Sequence, residues 1–401
     1  MDNKFYVTTA IDYVNAEPHI GHAYKKIVAD ILSRWNKLKG KDVFFLTGTD
    51  EHGLKIERKA KEKGKSPKEF CDEMSKKFEN AWKLLNIQFD RFIRTTDEDH
   101  INFVKKFVKK VWDSGDIYKG EYEGLYCVNC ETFYTEKDAV DGKCPIHKKE
   151  LEKVKEETYY FKMSKYQKRL LEFYKRHPEF ILPKSRRNEI INRVKEGLQD
   201  ISITRTSFKW GIPFPYDNNH VIYVWFDALT NYISGVEDKN YWPASLHLLG
   251  KDNAWFHCVL WPSMLMSAGY KIPKTVFVHG FLTVNGDKIS KSLGNVISPI
   301  YLVEKYGSDS ARYFISRQIP FGEDGDFSEE ALKNRHNNEL ANKLGNLVSR
   351  TAGMCKGKYV KSKEDKDLTS KLKFKEISKH MENYELDKSL SLIFEYIDHC
   401  N

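Results

Sequence analysis

Two short runs, far apart in this chain, hold residue types that could grip a polyphosphate. His19-Ile20-Gly21-His22 puts two imidazoles around a glycine at a strand-to-helix junction. A helix N-terminus offers unpaired backbone N–H groups and the positive end of its dipole to an anion. Glycine there lets a ligand come close to the backbone. Imidazoles donate to phosphate oxygens without the desolvation cost of a fixed charge. Lys288-Ile289-Ser290-Lys291-Ser292 follows an Asn285-Gly286-Asp287 turn. Two lysines three apart in a loop can swing onto a triphosphate and spread its developing charge. Singly, these runs read as a surface turn and a lysine loop. Jointly, one at the first strand and one after the last, they read as a two-sided grip on a nucleoside triphosphate.

A third pattern is Cys127-x-x-Cys130 with Cys144-x-x-His147. Three thiolates and an imidazole at this spacing suit a closed tetrahedral Zn²⁺ site. All four positions are filled by protein, so one structural zinc per chain is expected. Metal would carry part of the folding of so small a segment.

The elements that must hold these groups alternate. Residues 4–10 read as a strand, 21–38 as a helix stopped by Gly40, and 42–47 as a fully apolar strand of the kind buried in a parallel sheet. Asp50-Glu51-His52-Gly53 opens another helix. Ser66-Pro67 starts the next, which runs to about Leu85, and another spans about 97–113. This order predicts a right-handed parallel α/β unit. It breaks near Tyr118 and resumes with strands at 220–226, 246–249 and 276–279 and a helix at 255–268. After about Phe327 the pattern is helical, with Leu340, Leu344, Leu347 and Val348 on one face.

At 401 residues the chain exceeds one domain of roughly 100–200 residues. A net charge of +9 favours a polyanionic partner only weakly, because acidic residues are also abundant. Nothing approaches the roughly 20 continuous apolar residues of a membrane span, and the N-terminus lacks a signal-peptide layout. Seven cysteines, three of them in one local cluster with His147, fit a reducing compartment, with cytoplasm the default.

The histidine and lysine motifs together resemble those of class I aminoacyl-tRNA synthetases, with Ile289 where methionine is commonest. Further blocks narrow the resemblance: Thr9 to Asn15, Gly48 to Gly53, Leu198 to Arg205, Phe208 to Pro213, Val224 to Tyr232, and Gly250 to Trp261. These are similar to the methionyl-tRNA synthetase family, from the first strand to about Arg350. The resemblance implies a Rossmann-like catalytic domain split by a zinc-bearing connective insertion, then an α-helical anticodon-binding bundle. The expected segments are 1–117 and 219–281 for the two catalytic halves and 118–218 for the insertion. Residues 282–326 form the lysine-serine region and 327–401 a bundle that stops partway.

By the same resemblance the reaction joins L-methionine and ATP, with Mg²⁺, into methionyl-adenylate, then charges tRNA(Met). His19, His22, Lys288 and Lys291 would be catalytic. ATP would meet His19, Gly21, His22, Gly250, Asp252, Lys288, Ser290, Lys291 and Ser292. Methionine would be lined by Ala10, Ile11, Tyr13, Trp225, Ala228, Leu229, Tyr232, His257 and Trp261, with Asp50 on its ammonium. An unbranched thioether has no strong donor, so shape and sulfur–aromatic contact must select it. Arg205 would lie near the carboxylate and phosphate end, and Asn346 and Arg350 would meet anticodon bases. A monomer is expected. The rival readings are a cysteinyl-tRNA synthetase, a small-molecule nucleotidylyltransferase and a non-catalytic zinc-containing RNA-binding protein.

Overall fold

The computed structural model describes residues 3–128, 132–134, 139–145, 148–289, 294–320, 322–357 and 363–401, with the backbone alone for 132–134 and Lys288. The fold is α/β. Two compact units divide the chain: Met1–Glu17, Ser33–Asn80 and Gln88–Val278 form one, and Pro18–Leu32, Ala81–Ile87 and His279–Asn401 the other.

The first unit is built on a seven-stranded sheet. Lys4–Thr9 runs parallel to Asp42–Asp50 on one side and to Leu246–Gly250 on the other. Val276–His279 lies next and pairs in parallel with Ile181–Leu182. Arg91–Arg94 flanks Asp42–Asp50 in parallel at the other edge, and Asp12–Tyr13 continues the line of Lys4–Thr9 along the same strand. Residues 43–49 are all buried, the signature of a strand covered on both faces. Gly48 is required by this close pairing. A Cβ there would stand 1.8 Å from the Ile93 carbonyl oxygen.

Helix Glu98–Asp113 buries Phe103, Val104, Phe107, Val108 and Val111, the stripe that helical periodicity places on one face. The Phe107 ring stacks on Tyr270 and Trp261, with centroids 5.7 and 6.0 Å away. Ile117–Cys127 and Glu152–Phe161 form a long antiparallel pair. Thr132–Tyr134 joins one edge of it and Ile201–Ser202 the other.

Three local readings change. The apolar run 220–226 is not one strand: Val221–Ile222 pairs antiparallel with Thr204–Arg205, and a helix spans Val224–Ala228. Periodicity cannot separate a buried strand from a buried helical turn when every side chain is apolar. The stretch 255–268 opens with a π-helical turn, Phe256–Leu260, before α-helix Trp261–Ala268. Pro262 has no N–H to offer the Cys258 carbonyl, and the Tyr174 hydroxyl donates to that oxygen instead at 2.5 Å. Ile181–Leu182, inside the stretch read as insertion, is an outer strand of the main sheet, too short to carry a pattern.

In the second unit, Leu282–Val284 pairs antiparallel with Asp287–Lys288 and parallel with Gly325–Phe327. The hairpin turns on Asn285 and Gly286, both at positive φ, the conformation an Asn-Gly turn supplies. Helices Pro299–Tyr306, Ser308–Gln318, Glu329–Arg335 and Asn346–Cys355 follow, then Phe374–Glu382 and Leu386–Cys400. Of the face read as apolar, Leu344 and Val348 are exposed. Within this unit Arg312 pairs at 2.5 Å with Asp30, which is fully buried.

Glu51 carries the largest local stake in the first unit. Its buried carboxylate receives Arg94 Nε and Nη2 at 2.7 and 2.8 Å and the Thr49 and Thr96 hydroxyls at 2.6 Å. Removing one partner of a buried ion pair leaves an uncompensated charge. Arg94→Ala is expected to cost about 3 kcal/mol, read as a lowered urea midpoint.

Candidate active site

The end of the strand Asp42–Asp50 and the loop that follows it, Gly48 to Gly53, are pinned at nearly every residue. Glu51 is held as described, and its backbone N–H donates to Thr95 Oγ1 at 3.0 Å. Its carbonyl accepts from the Trp210 indole at 2.5 Å, and Gly53 N–H donates to the Trp210 carbonyl at 3.0 Å. His52 Nδ1 lies 2.7 Å from Asp227 Oδ2, and His100 Nε2 lies 2.8 Å from Asp227 Oδ1. With Asp227 ionised, each ring donates through the nitrogen that faces it. Ser234 Oγ meets the other His100 nitrogen at 2.8 Å. Burial alone would push the Asp227 carboxyl up, but the two histidines outweigh it and hold it below the ordinary value. Asp50 sits between these anchors, beside Tyr13 in register on the neighbouring strand.

Beyond this loop lies an aromatic cluster. The Tyr232 hydroxyl is 2.7 Å from His257 Nε2, and His257 Nδ1 is 2.9 Å from the Asn253 carbonyl. The carbonyl can only accept, so Nδ1 carries the proton and Nε2 accepts from the tyrosine. Burial raises the Tyr232 pKa, which keeps that hydroxyl a donor. Trp225 stacks face to face on Phe256 at 3.8 Å, and Trp261 packs 6.2 Å from Tyr232 and 5.8 Å from Trp242. Ala10, Leu229, Tyr232 and Trp261 belong to one buried cluster, and Ile11, Tyr13 and Trp225 pack half-buried against it. Ala228 is buried on the short helix that carries Trp225.

Gly250 ends its parallel strand and Asp252 lies exposed in the turn that follows. Ligands of open α/β sheets bind outside these carboxyl ends. Arg205 is buried and turned back to residues just before it in the chain: Nη1 donates to the Thr204 carbonyl at 2.7 Å and to Ser202 Oγ at 2.8 Å. The Tyr223 ring covers its guanidinium at 4.2 Å.

The histidine turn belongs to the second unit. Gly21 N–H donates to His19 Nδ1 and His19 N–H to His22 Nδ1, both at 3.2 Å. Each Nδ1 is therefore an acceptor, which places the ring proton on Nε2, a donor for an anion. The two rings lie 3.8 Å apart. Ile20 N–H donates to the Ile297 carbonyl at 2.9 Å, and a Cβ on Gly21 would stand 3.7 Å from Ile289 Cδ1. The turn thus lies beside Ile289 of the lysine-serine run and is bonded to Ile297 beyond it. Ser290, Lys291 and Ser292 lie outside the described residues, as do Cys130 and His147. Cys127 and Cys144 are buried, and the loop after Cys144 is closed by its N–H on the Lys149 carbonyl at 2.8 Å. Asn346 and Arg350 are exposed one turn apart on their helix.

Among the described residues, Glu157, Asp217 and His220 converge closely enough to hold an ion. Lys119 Nζ already lies 2.8 Å from Glu157, so the group is read as a salt-bridge cluster. Sequence reasoning missed Glu51, His52, His100, Ser234 and Asp227. The available signal was the acidic letter within Val224-Trp225-Phe226-Asp227-Ala228-Leu229, since a charge inside a buried apolar run demands partners.

His279 yields a pH effect. Burial, with Lys25 and Lys26 adding to it against the Gly280 carbonyl bond, depresses its pKa to about 3. The unfolded histidine binds a proton near pH 6.5, so the unfolded state takes up more protons between these values. Stability from this residue is complete above about pH 6.5 and is lost as pH falls toward 3. His279→Gln is expected to flatten that slope in denaturation series run across this window.

Comparison with known proteins adds independent observations. The profile of the family described as tRNA synthetases class I (M) matches residues 5–155 and 146–352. A methionine–tRNA ligase of Thermotoga maritima is 50% identical over 99% of this chain and 67% of its own length. Those of Caldanaerobacter subterraneus and Clostridium tetani are 52% and 53% identical, over 88% and 87% of the chain and 57% and 56% of their own lengths. The chain thus spans a little over half to two thirds of these relatives. Mycobacterium tuberculosis methionyl-tRNA synthetase in complex with methionyl-adenylate superposes with a TM-score of 0.94 at 41% identity, covering 98% of this chain and 82% of that one. The free-state structure of that enzyme gives 0.85 at 38% identity, covering 98% and 80%. Profile, identity and superposition agree, and the chain belongs to the class I tRNA synthetases of the methionine type.

Proposed function

We propose that this chain activates methionine and serves in charging tRNA(Met), as a cytoplasmic methionine–tRNA ligase. The observation that carries the reading is the buried aromatic cluster of Tyr232, His257 and Trp261 that shares one core with Ala10 and Leu229, with Asp50 fixed at the end of a sheet strand. An unbranched thioether offers little besides shape and sulfur–aromatic contact, worth about 0.3–1.5 kcal/mol, and an ammonium needs a carboxylate. Ile11, Tyr13, Trp225 and Ala228 complete the side-chain walls in this reading.

In the first step the methionine carboxylate oxygen bonds to the α-phosphorus of ATP. The bond from that phosphorus to the β-phosphate oxygen breaks, and pyrophosphate leaves with the electron pair. No covalent enzyme intermediate is needed, so positioning and electrostatics suffice. His19 and His22 donate to the triphosphate through Nε2. Lys288 and Lys291 spread the charge that develops on the departing oxygens, assisted by Gly21, Ser290 and Ser292. Gly250 and Asp252 take the ribose, Arg205 the carboxylate and phosphate end, and Mg²⁺ travels with ATP. In the second step a terminal ribose hydroxyl of tRNA bonds to the aminoacyl carbonyl carbon, the acyl–phosphate bond breaks, and AMP leaves with that electron pair, with Asn346 and Arg350 reading anticodon bases.

Cys127, Cys130, Cys144 and His147 would hold one zinc. The fit rests on two buried thiols and on the hydrogen-bonded turn after Cys144. Zinc there would tie the insertion together. In this proposal residues 1–117 and 219–281 are the catalytic halves and 118–218 the insertion. Residues 282–326 form the lysine-serine region and 327–401 the start of the anticodon bundle.

Pyrophosphate exchange tested with each of the twenty amino acids is expected to respond to methionine alone, and a response to cysteine instead would reverse the assignment. Lys291→Ala is expected to slow that exchange about 100-fold or more, with methionine binding by calorimetry unchanged. Protein prepared without chelator is expected to contain about one zinc per chain, and Cys127→Ser to lose it. A metal content under half an equivalent, by atomic absorption, would remove the zinc assignment.

A further inference from the structure

Asp227 is fully buried, and its two oxygens reach two different parts of the first unit. Oδ2 meets His52 at 2.7 Å, two residues beyond Asp50. Oδ1 meets His100 at 2.8 Å, on the helix whose Phe107 packs against Trp261. His100 in turn meets Ser234, two residues beyond Tyr232. The backbone around Asp227 is closed as well: Thr230 Oγ1 donates to the Asp227 carbonyl at 2.8 Å and Asn231 Nδ2 to the Ala228 carbonyl at 2.6 Å. One carboxylate therefore joins the loop bearing Asp50 to the short helices bearing Trp225, Ala228 and Tyr232.

We infer that Asp227 is a specificity-determining positioning residue, which sets the distance between the ammonium anchor and the aromatic walls and so the length of amino acid accepted. This rests on the methionine reading of the site. A site that cannot grip its substrate's side chain through strong hydrogen bonds must select by length, and length is measured only between two fixed ends. Methylene-sized differences are worth about 1–3 kcal/mol of discrimination, which a small drift of either end would erase. Asp227 touches no substrate in this role. It acts through His52 and His100.

The test uses steady-state pyrophosphate exchange by the chain with methionine, with norvaline, one atom shorter, and with ethionine, one atom longer. Asp227→Asn is expected to raise the methionine KM about tenfold, leave the ATP KM unchanged, and shrink the preference for methionine over ethionine about tenfold. His52 carries the test where Asp227→Asn does not fold. In His52→Asn an amide nitrogen replaces Nδ1 and should retain wild-type discrimination. His52→Leu offers no donor and should behave as Asp227→Asn does. Thermal melting followed by circular dichroism confirms that the variants compared are folded. A folded His52→Leu with unchanged methionine KM and unchanged preference would overturn the inference. So would His52→Asn as impaired as His52→Leu, or an ATP KM that rises in step with the methionine KM. Wild-type chain that shows no methionine-dependent exchange would overturn the functional reading instead, a separate result.

Discussion

Two carboxylates removed from water at the carboxyl end of a parallel sheet set the terms for the rest of the first unit. A buried charge must recover in hydrogen bonds what it loses in hydration. Glu51 does so through Arg94, Thr49 and Thr96, and Asp227 through His52 and His100. These partners come from the strands, the loop and the helix around them, so satisfying the charges fixes those elements relative to one another. The loop between Gly48 and Gly53 has little freedom left. Rigid support of this kind is what a site needs when its ligand supplies few directional contacts.

The second unit solves a different problem with less charge. Its histidine turn uses backbone N–H groups to fix two ring tautomers, with the proton of each on Nε2. The turn also lies beside Ile289 of the lysine-serine run and is bonded to Ile297 beyond it.

Much of this was legible in the residues. The strands at 4–10 and 42–47 and the helices up to Asp113 follow from apolar periodicity and caps, the short strands Asp12–Tyr13 and Arg91–Arg94 went unread, and the Asn285-Gly286 hairpin follows from turn chemistry. Legibility failed where the pattern was uniform or too short. From Val221 to Phe226 the run is apolar throughout, so its division into a two-residue strand and a helix left no trace in period. Ile181–Leu182 is a strand only because Val276 and Phe277 lie beside it. The π-turn before Trp261 answers to Pro262 and to a tyrosine far back in the chain.

The sequence by itself determined the class of fold, the family and the chemical types in the candidate site, because these reside in local patterns and in motif residues whose spacing can be counted. Only the tertiary structure decided which polar groups are buried together. Glu51 and Arg94 are 43 positions apart, and His52 and Asp227 are 175 apart. Such pairings arise from the crossing of strands and helices that share no local periodicity. The physical reason is that desolvation, which makes these charges matter, is a property of the packed chain and of no segment alone.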